Sequence, residues 1–286
     1  MDTTGDSQFQ CWNLQPRDAE KIGALLSYAQ KYEAIEMRQA FSKSKLDGWW
    51  YGAYHIAEGH FSGVAYITDQ FVYLFGRDKD ALRCMGRNLG RNQSKRPGGG
   101  SHSLFGPNEM VQAFWHGFEI SGKKLAADVQ LDLCELTEIA CAQNTAYEAR
   151  YAVKKDLPLV FDFLGEALID ELGMDVRRLG KDAHERRCSE LIADQKIILG
   201  LHRGKPAFVG EYREDELGIF IEHAYFPVAM RRPKVMRGIH ARMAELLMER
   251  NPTLLMYIDH ANEETKAATD EVGYRVVMPG RMMRLR

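Results

Sequence analysis

The chain has 286 residues, which is long enough for one large domain or two domains of ordinary size. Hydrophobic residues make up 45% and charged residues 27% of it, a balance that is typical of globular proteins and excludes the disordered class. The formal net charge of −2 gives no reason to expect nucleic acid or an anionic membrane as a partner.

The cysteines and the N-terminal segment bear on the compartment. Five cysteines fit no complete disulfide framework, and no two of them have metal-binding spacing. This predicts a reducing, cytoplasmic location. Residues 1–10 are polar, unlike a secretory signal, and no run of 18 apolar residues predicts a membrane span. Cys188 follows Arg186 and Arg187, so either its thiol pKa is lowered or it is a passive helix residue.

The first half of the chain mixes helical and strand patterns. Ile22, Leu25 and Leu26 have helical spacing and predict an amphipathic helix over residues 17–33. Aromatic and β-branched residues predict three strands after it. In chain order these strands cover residues 48–57, 62–68 and 71–75, and they are followed by helices over 79–89 and 108–119 and an extended segment over 125–139.

A glycine-rich segment interrupts this half at residues 91–103. It contains Gly98, Gly99 and Gly100 beside Lys95 and Arg96, which predicts a loop. Glycines next to cations can cradle phosphates, but no strand–loop–helix spacing of a phosphate motif accompanies these. A surface loop is therefore the favoured interpretation.

The second half has clearer signals for where helices and strands begin and end. The polar residues 143–145 predict a boundary between an N-terminal domain, 1–143, and a C-terminal domain, 147–286. Asp156 is a suitable N-cap for a helix that Gly173 ends. The mixed order of elements predicts an α/β (α+β) fold with helices on the sheet faces. The other predicted elements are a strand over 151–153, a helix over 183–193, a hairpin over 197–213, a strand over 219–230, a helix opened by Gly238, a strand over 254–258, a helix over 263–272 and a strand over 274–278.

This order of elements resembles the GNAT (N-acetyltransferase) superfamily. The likeness is carried by the long strand 219–230, the basic turn 231–240, the strand ending near Asn262, and Gly273-Tyr274 in place of the family's Gly-Phe pair. The first half more faintly resembles the degenerate GNAT-like domain of a tandem GNAT subfamily, at residues 63–66 and 106–107. The resemblance implies tandem GNAT-like mixed sheets flanked by helices.

The resemblance also implies acetyl-CoA or another acyl-CoA as co-substrate. A turn that opens a helix offers unpaired N–H groups and a positive dipole to the pyrophosphate. The family pattern Arg/Gln-x-x-Gly-x-Gly/Ala falls on residues 235–240, where Gly238 matches and Val235 and His240 depart. The alternatives are a solvated basic loop here and an N-cap role for Asn262. The predicted cofactor-binding residues are Val228, Ala229, Met230, Lys234, Val235, Met236, Arg237, Gly238, Ile239, His240 and Asn262, the first three as the strand that faces the thioester.

Direct attack by an amine needs a general base, which the resemblance places on the central strands. Glu211 is the first candidate, and Glu222 and His223 are the others, although the last two also fit a polar strand surface. The family's leaving-group acid, often a tyrosine, corresponds to Thr269, a far weaker acid. Tyr257 is a substitute, but core packing is the stronger interpretation for it.

The predicted function is acyl-CoA-dependent N-acyltransfer, with a small-molecule or peptide amine as acceptor and neither nucleic acid nor membrane as partner. A homodimer stays open. The main alternative is a non-catalytic acyl-CoA-binding regulatory module, which the departures at Val235, His240 and Thr269 favour. A tRNA-dependent aminoacyl-transferring relative is a third hypothesis, against which the near-neutral charge argues.

Overall fold

A computed structural model describes residues 8–44, 49–68, 71–91, 103–122, 124–141, 144–173 and 175–285. In chain order its elements are β1 (Phe9–Asn13), α1 (Ala19–Ser27), α2 (Ile35–Ser44), β2 (Trp49–His55), β3 (His60–Ile67), β4 (Phe71–Gly76), α3 (Lys79–Arg91), β5 (Ser103–Pro107), α4 (Asn108–Phe118), β6 (Leu125–Leu136), β7 (Tyr147–Tyr151), α5 (Leu157–Leu172), α6 (Val176–Leu179), α7 (Lys181–Ala193), β8 (Ile197–His202), β9 (Lys205–Asp215), β10 (Gly218–Tyr225), α8 (Pro233–Met248), β11 (Leu254–Asp259), α9 (Glu263–Val272) and β12 (Arg275–Leu285).

The chain divides into two compact units. Unit 1 combines Met1–Asp132 with Met278–Arg286, and unit 2 is Leu133–Val277. The predicted boundary at residues 143–147 therefore lies inside unit 2. The last nine residues belong to unit 1 because β12 pairs there with β5, Gly280 opposite Pro107 and Arg284 opposite Ser103.

Unit 1 is a sheet with helices on both faces. Its strands follow the order β1-β2-β3-β4-β5-β12, antiparallel except for the parallel pair β4–β5. Because the side chains of neighbouring strand residues point to opposite faces of the sheet, alternate residues of one strand belong to different hydrophobic clusters. Tyr51 and Leu74 join the cluster built with α3 and α4, whereas Trp50 and Phe75 join the one built with α1 and α2.

Unit 2 repeats this construction. Its strands follow the order β6-β11-β10-β9-β8-β7, with β10 and β11 parallel, and only residues 133–136 of β6 belong to this unit. Leu199 and Val209 pack in the cluster with Val160 and Leu164 of α5. On the opposite face, Ile198 and Phe208 pack in the cluster with Ile239 and Met243 of α8 and Ala268 of α9. The predicted α/β (α+β) class with flanking helices is confirmed.

Local signals placed α5 correctly. Asp156 lies at the N-cap position, where its carboxylate accepts the upstream Val153 N–H at 2.9 Å rather than an N–H of the helix, and Gly173 takes a left-handed φ of 69° at the end of the helix. The hairpin around Arg203-Gly204 also forms as predicted, with positive φ at both residues.

Two predicted boundaries near the site were wrong. The strand predicted over 219–230 ends at Tyr225, because Pro227 cannot donate to a ladder, and Val228–Met230 form a 3₁₀ turn. The helix predicted to open at Gly238 begins five residues earlier, at Pro233, a residue well suited to the first helical position.

The glycine-rich segment with Lys95, Arg96 and Gly98 to Gly100 lies outside the described residues, as does Gln143 at the predicted boundary. In the described part of the chain, no helix combines the length and apolar character needed to cross a bilayer.

Candidate active site

Strands β10 and β11 of unit 2 separate towards their carboxyl ends. Their parallel register runs from Ile219 opposite Leu254 to Ile221 opposite Met256 and stops there in the described chain, although β10 continues to Tyr225 and β11 to Asp259. Beyond this point β10 stays paired with β9. Openings at the carboxyl ends of parallel strands are common ligand sites in α/β sheets.

Helix α8 follows β10 in the sequence and begins shortly after the end of that strand. Arg232 is its N-cap, and the N–H of Lys234 has no backbone acceptor in the described residues, since only Val235 and Met236 donate to the Arg232 carbonyl. Both basic side chains are exposed, and neither forms an ion pair with a described residue. Val228 is 76% exposed just before them. The helix start is thus an accessible cationic surface beside an apolar residue.

The predicted phosphate window, residues 235–240, is not an anion-binding turn. It lies within α8, so the N–H groups from Arg237 onwards belong to the helical ladder. Val235, Met236 and Ile239 are buried in the core of unit 2. Gly238 faces the Tyr147 ring so closely that an added Cβ would lie 2.3 Å from its Cδ2. Gly238 therefore serves helix packing rather than approach to phosphate.

His240 is also a core residue. Its ring packs against the rings of Phe208 and Phe226, with centroids 5.8 and 5.4 Å away, and the residue is 1% exposed. Neither ring nitrogen has a hydrogen-bond partner among the described residues. Burial lowers the pKa of His240 to about 4, so the imidazole is neutral at physiological pH. The prediction that His240 contacts the cofactor is wrong for this buried ring.

Carboxylates neutralise two of the predicted cations. Arg237 is paired with Glu271 of α9. Arg231 is paired with Asp170 of α5 and also donates to the Phe226 carbonyl at 2.9 Å. The positive charge that remains at the helix start comes from Arg232 and Lys234.

Two residues at the predicted acyl site have local structural roles. The Asn262 side chain accepts the Thr265 N–H at 3.0 Å, which is the alternative N-cap role. Thr269 is fully buried and donates its hydroxyl to the carbonyls of Thr265 and Lys266. Thr269 is therefore committed to α9 and does not face a leaving thiolate.

The two predicted carboxylate bases are both held by arginines. Glu211 is buried, and both its oxygens lie 2.7 Å from Nη2 of Arg187. Glu222, at a bulge in β10, is exposed and accepts from Nε of Arg213 at 2.6 Å. Both carboxylates are thus engaged in charge-assisted hydrogen bonds to a guanidinium.

His223 is the third predicted base and has a different environment. It lies on the part of β10 beyond the last β11 pair, opposite Glu211 of β9. Its Nδ1 is 2.6 Å from Oε2 of Glu171 in the last turn of α5. Burial lowers the pKa of His223, but the hydrogen bond and charge of Glu171 outweigh burial, so the net shift is upward.

Sequence reasoning missed Glu171 and Arg187. A signal for Glu171 exists: Val160, Leu164 and Leu168 form the buried stripe of α5, and position 171 continues it at helical spacing. A carboxylate in an apolar stripe needs a polar partner. Of the two alternatives for Cys188, a passive helix residue fits the structure, since burial raises its thiol pKa to about 11.

Unit 1 contains a similar strand–helix junction, but its charges are mixed. Its parallel pair β4–β5 ends at Tyr73 opposite Phe105, β4 continues to Gly76, and α3 follows. The start of α3 carries Asp78 and Asp80, and the Asp80 N–H donates to the Asp78 carboxylate at 2.7 Å. Lys79, between these two aspartates, is paired with Glu109, so the helix start of unit 2 with its exposed Arg232 and Lys234 is the better candidate.

Comparisons with known proteins place this geometry in a fold family. No family model matches the chain, and no curated protein matches its sequence. A GCN5-related N-acetyltransferase from Sphaerobacter thermophilus has a TM-score of 0.63 at 14% identity, over 98% of this chain and 95% of that one. A GNAT-family acetyltransferase from Colwellia psychrerythraea has a TM-score of 0.60 at 11% identity, over 97% and 100%. A tandem GNAT protein from the clavulanic acid biosynthesis pathway has a TM-score of 0.55 at 10% identity, over 97% of each chain. The predicted resemblance is thus confirmed as one of fold: over nearly its whole length this chain has the fold of the GNAT acetyltransferases.

Proposed function

We propose that this protein is an acyl-CoA-dependent N-acyltransferase whose reaction takes place in unit 2. The observation that carries the proposal is the position of His223. On a GNAT fold, it is an ionisable side chain on the strand segment where β10 has left β11. An opening lined by a titratable group is a common feature of sites for general acid–base chemistry.

Acyl-CoA fits the helix start better than the predicted window. The N–H of Lys234, the dipole of the 16-residue helix α8 and the side chains of Arg232 and Lys234 together favour a phosphate dianion. The exposed Val228 offers an apolar contact to the pantetheine arm. Acetyl-CoA is the first acyl donor to test, because the named acetyltransferases share this fold.

The acceptor in this proposal is a primary amine on a small molecule or a peptide. His223 takes one proton from the ammonium, and the neutral nitrogen attacks the thioester carbonyl. The amide keeps one N–H, the thiolate takes the other proton as it leaves, and His223 passes its proton to solvent. The products are an amide, CoA thiol and one proton.

His223→Gln tests this assignment, with Glu222→Gln as matched control on the same strand. Thiol release from acetyl-CoA with a panel of primary amines is the activity assay, and calorimetry with CoA measures binding. His223→Gln should lower turnover by about 10²–10⁴-fold. Its CoA affinity should stay near that of wild type, and Glu222→Gln should retain turnover.

The non-catalytic acyl-CoA-binding module is the alternative that these measurements separate. Wild type that binds CoA but acylates no amine in the panel would support that module. Wild type that neither binds CoA nor releases thiol would contradict both functions. The expectations of a cytoplasmic location, of no nucleic acid or membrane partner, and of a homodimer as an open state stay predictions.

A further inference from the structure

We infer that Glu171 is a positioning residue, which fixes the tautomer and orientation of His223 and thereby leaves Nε2 as the nitrogen that accepts the proton from the acceptor amine. This inference rests on the proposed acyl transfer. It adds a residue from α5, 52 positions away in sequence, to a site otherwise built on β10.

The geometry assigns a separate task to each ring nitrogen. Nδ1 lies 2.6 Å from Oε2 of Glu171, and a carboxylate only accepts, so the proton of the neutral ring resides on Nδ1. Nε2 then carries the lone pair. It has no hydrogen-bond partner in the described part of the chain. The His223 side chain is 21% exposed, so the ring is shielded but not sealed from solvent.

Charged groups on three elements face this ring: Glu171 of α5, Glu211 of β9 and Arg187 of α7. Glu211 and Arg187 act on His223 with opposite signs, and they are bound to each other at 2.7 Å. Their effects on the ring therefore partly cancel. Glu171 is the carboxylate that touches the ring, and its hydrogen bond and charge are the largest effects that oppose burial.

The last turn of α5 sets the position of this carboxylate. Leu164 and Leu168 anchor the helix in the core, and Gly173 ends it two residues after Glu171. Glu171 can thus hold the ring while His223 gains and loses its proton. An ionised carboxylate also stabilises the imidazolium that forms when the amine is deprotonated, as in other histidine–carboxylate pairs.

Glu171→Gln removes the charge and keeps the size of the side chain, so it separates positioning by charge from packing. Glu166→Gln is the matched control: it is the same change on the same helix, at a residue paired with Arg177. Two readouts are compared across pH. One is the NMR titration of the His223 ring, assigned with His223→Gln. The other is kcat and KM for acetyl-CoA with an amine that wild type acylates.

The expected result is a lower His223 pKa in Glu171→Gln and the wild-type pKa in Glu166→Gln. The ascending limb of kcat should move to lower pH by the same interval as the NMR pKa, and the KM for acetyl-CoA should not change. Glu171→Asp, which keeps the charge, should move both readouts back towards wild type. A residue that only stabilises the fold would not move the kinetic limb and the ring titration together.

An unchanged His223 titration in Glu171→Gln would overturn the inference, because the carboxylate would then have no hold on the ring. A lowered ring pKa with an unmoved kinetic limb would overturn the catalytic role alone. If wild type acylates no amine, both the proposed function and the role of Glu171 in it are contradicted. The ring titration would still decide whether Glu171 fixes His223.

Discussion

Replacement of His240 by leucine should remove a pH-dependent loss of stability from unit 2. The imidazole is enclosed by Phe208 and Phe226, and burial lowers its pKa from 6.5 to about 4. The folded state therefore binds this proton less readily than the unfolded state does. Stability is unaffected well above pH 6.5 and is lost as the pH falls towards 4.

The size of the effect follows from the two pKa values. Each unit of difference corresponds to about 1.4 kcal/mol, so the full loss, reached below pH 4, is about 3 kcal/mol. Between about pH 8 and pH 5, where unfolding is easier to measure, the loss from this one group is about 2 kcal/mol. Leucine fills a similar volume and needs no hydrogen-bond partner, so the variant should lack this loss.

The assay must report on unit 2. All four tryptophans, Trp12, Trp49, Trp50 and Trp115, lie in unit 1, so fluorescence would follow the wrong part of the chain. Hydrogen exchange of the α8 peptide at pH 8 and pH 5, corrected for the intrinsic rate, measures the opening free energy where His240 lies.

The difference between His240→Leu and wild type should grow by about 2 kcal/mol from pH 8 to pH 5. The same change at the exposed His260 is made in parallel as the control for replacing a histidine outside the core. A difference that stays constant over this pH range would refute the reasoning. The folded-state pKa of His240 would then be close to the unfolded value, which is incompatible with full burial of the ring in this apolar core.

Two further predictions concern packing and thiol chemistry. Gly238→Ala should destabilise unit 2, because the new Cβ would lie within 2.6 Å of the Tyr147 ring. In a Tyr147→Ala background the same change should instead stabilise unit 2 by about 1 kcal/mol, because alanine has the higher helix propensity. Hydrogen exchange of α8 measures both effects. If Gly238→Ala changes the stability in the same direction in both backgrounds, the contact with Tyr147 is not the cause. In unit 1 the sulfurs of Cys11 and Cys84 lie 3.5 Å apart. Hydrogen peroxide should couple them as a disulfide while it is reduced to water, so thiol titration of the unfolded protein should fall by two and peptide mapping should recover the 11–84 pair. Five remaining thiols, or a different pair, would contradict this.

Signals confined to a few neighbouring residues were readable from the sequence. Helix α5 begins after Asp156 and ends at Gly173 as predicted, and the left-handed C-cap at Gly173 depends only on local backbone groups. The start of α8 was predicted at Gly238, where the family pattern has its glycine. The structure begins the helix at Pro233, a residue that favours the first helical position. The glycine has a different reason to be small, since it packs against Tyr147.

Features that depend on distant parts of the chain were not readable. β1 and β5 are five-residue strands whose partners decide their conformation, and neither was predicted. Among the three candidate bases, the sequence could not rank His223 above Glu211. That ranking depends on Arg187 and Glu171, which lie 24 and 52 residues from their respective partners.

The return of β12 to unit 1 has a consequence for synthesis on the ribosome. Unit 2 is continuous in sequence, so it can fold as soon as Val277 has emerged. Unit 1 must wait for its last strand, whose partner β5 was made some 170 residues earlier. Until then β5 keeps an open edge, which is the kind of surface that recruits unwanted strands. A stop codon after Val277 would therefore leave unit 2 whole and damage the half of the protein that was translated first.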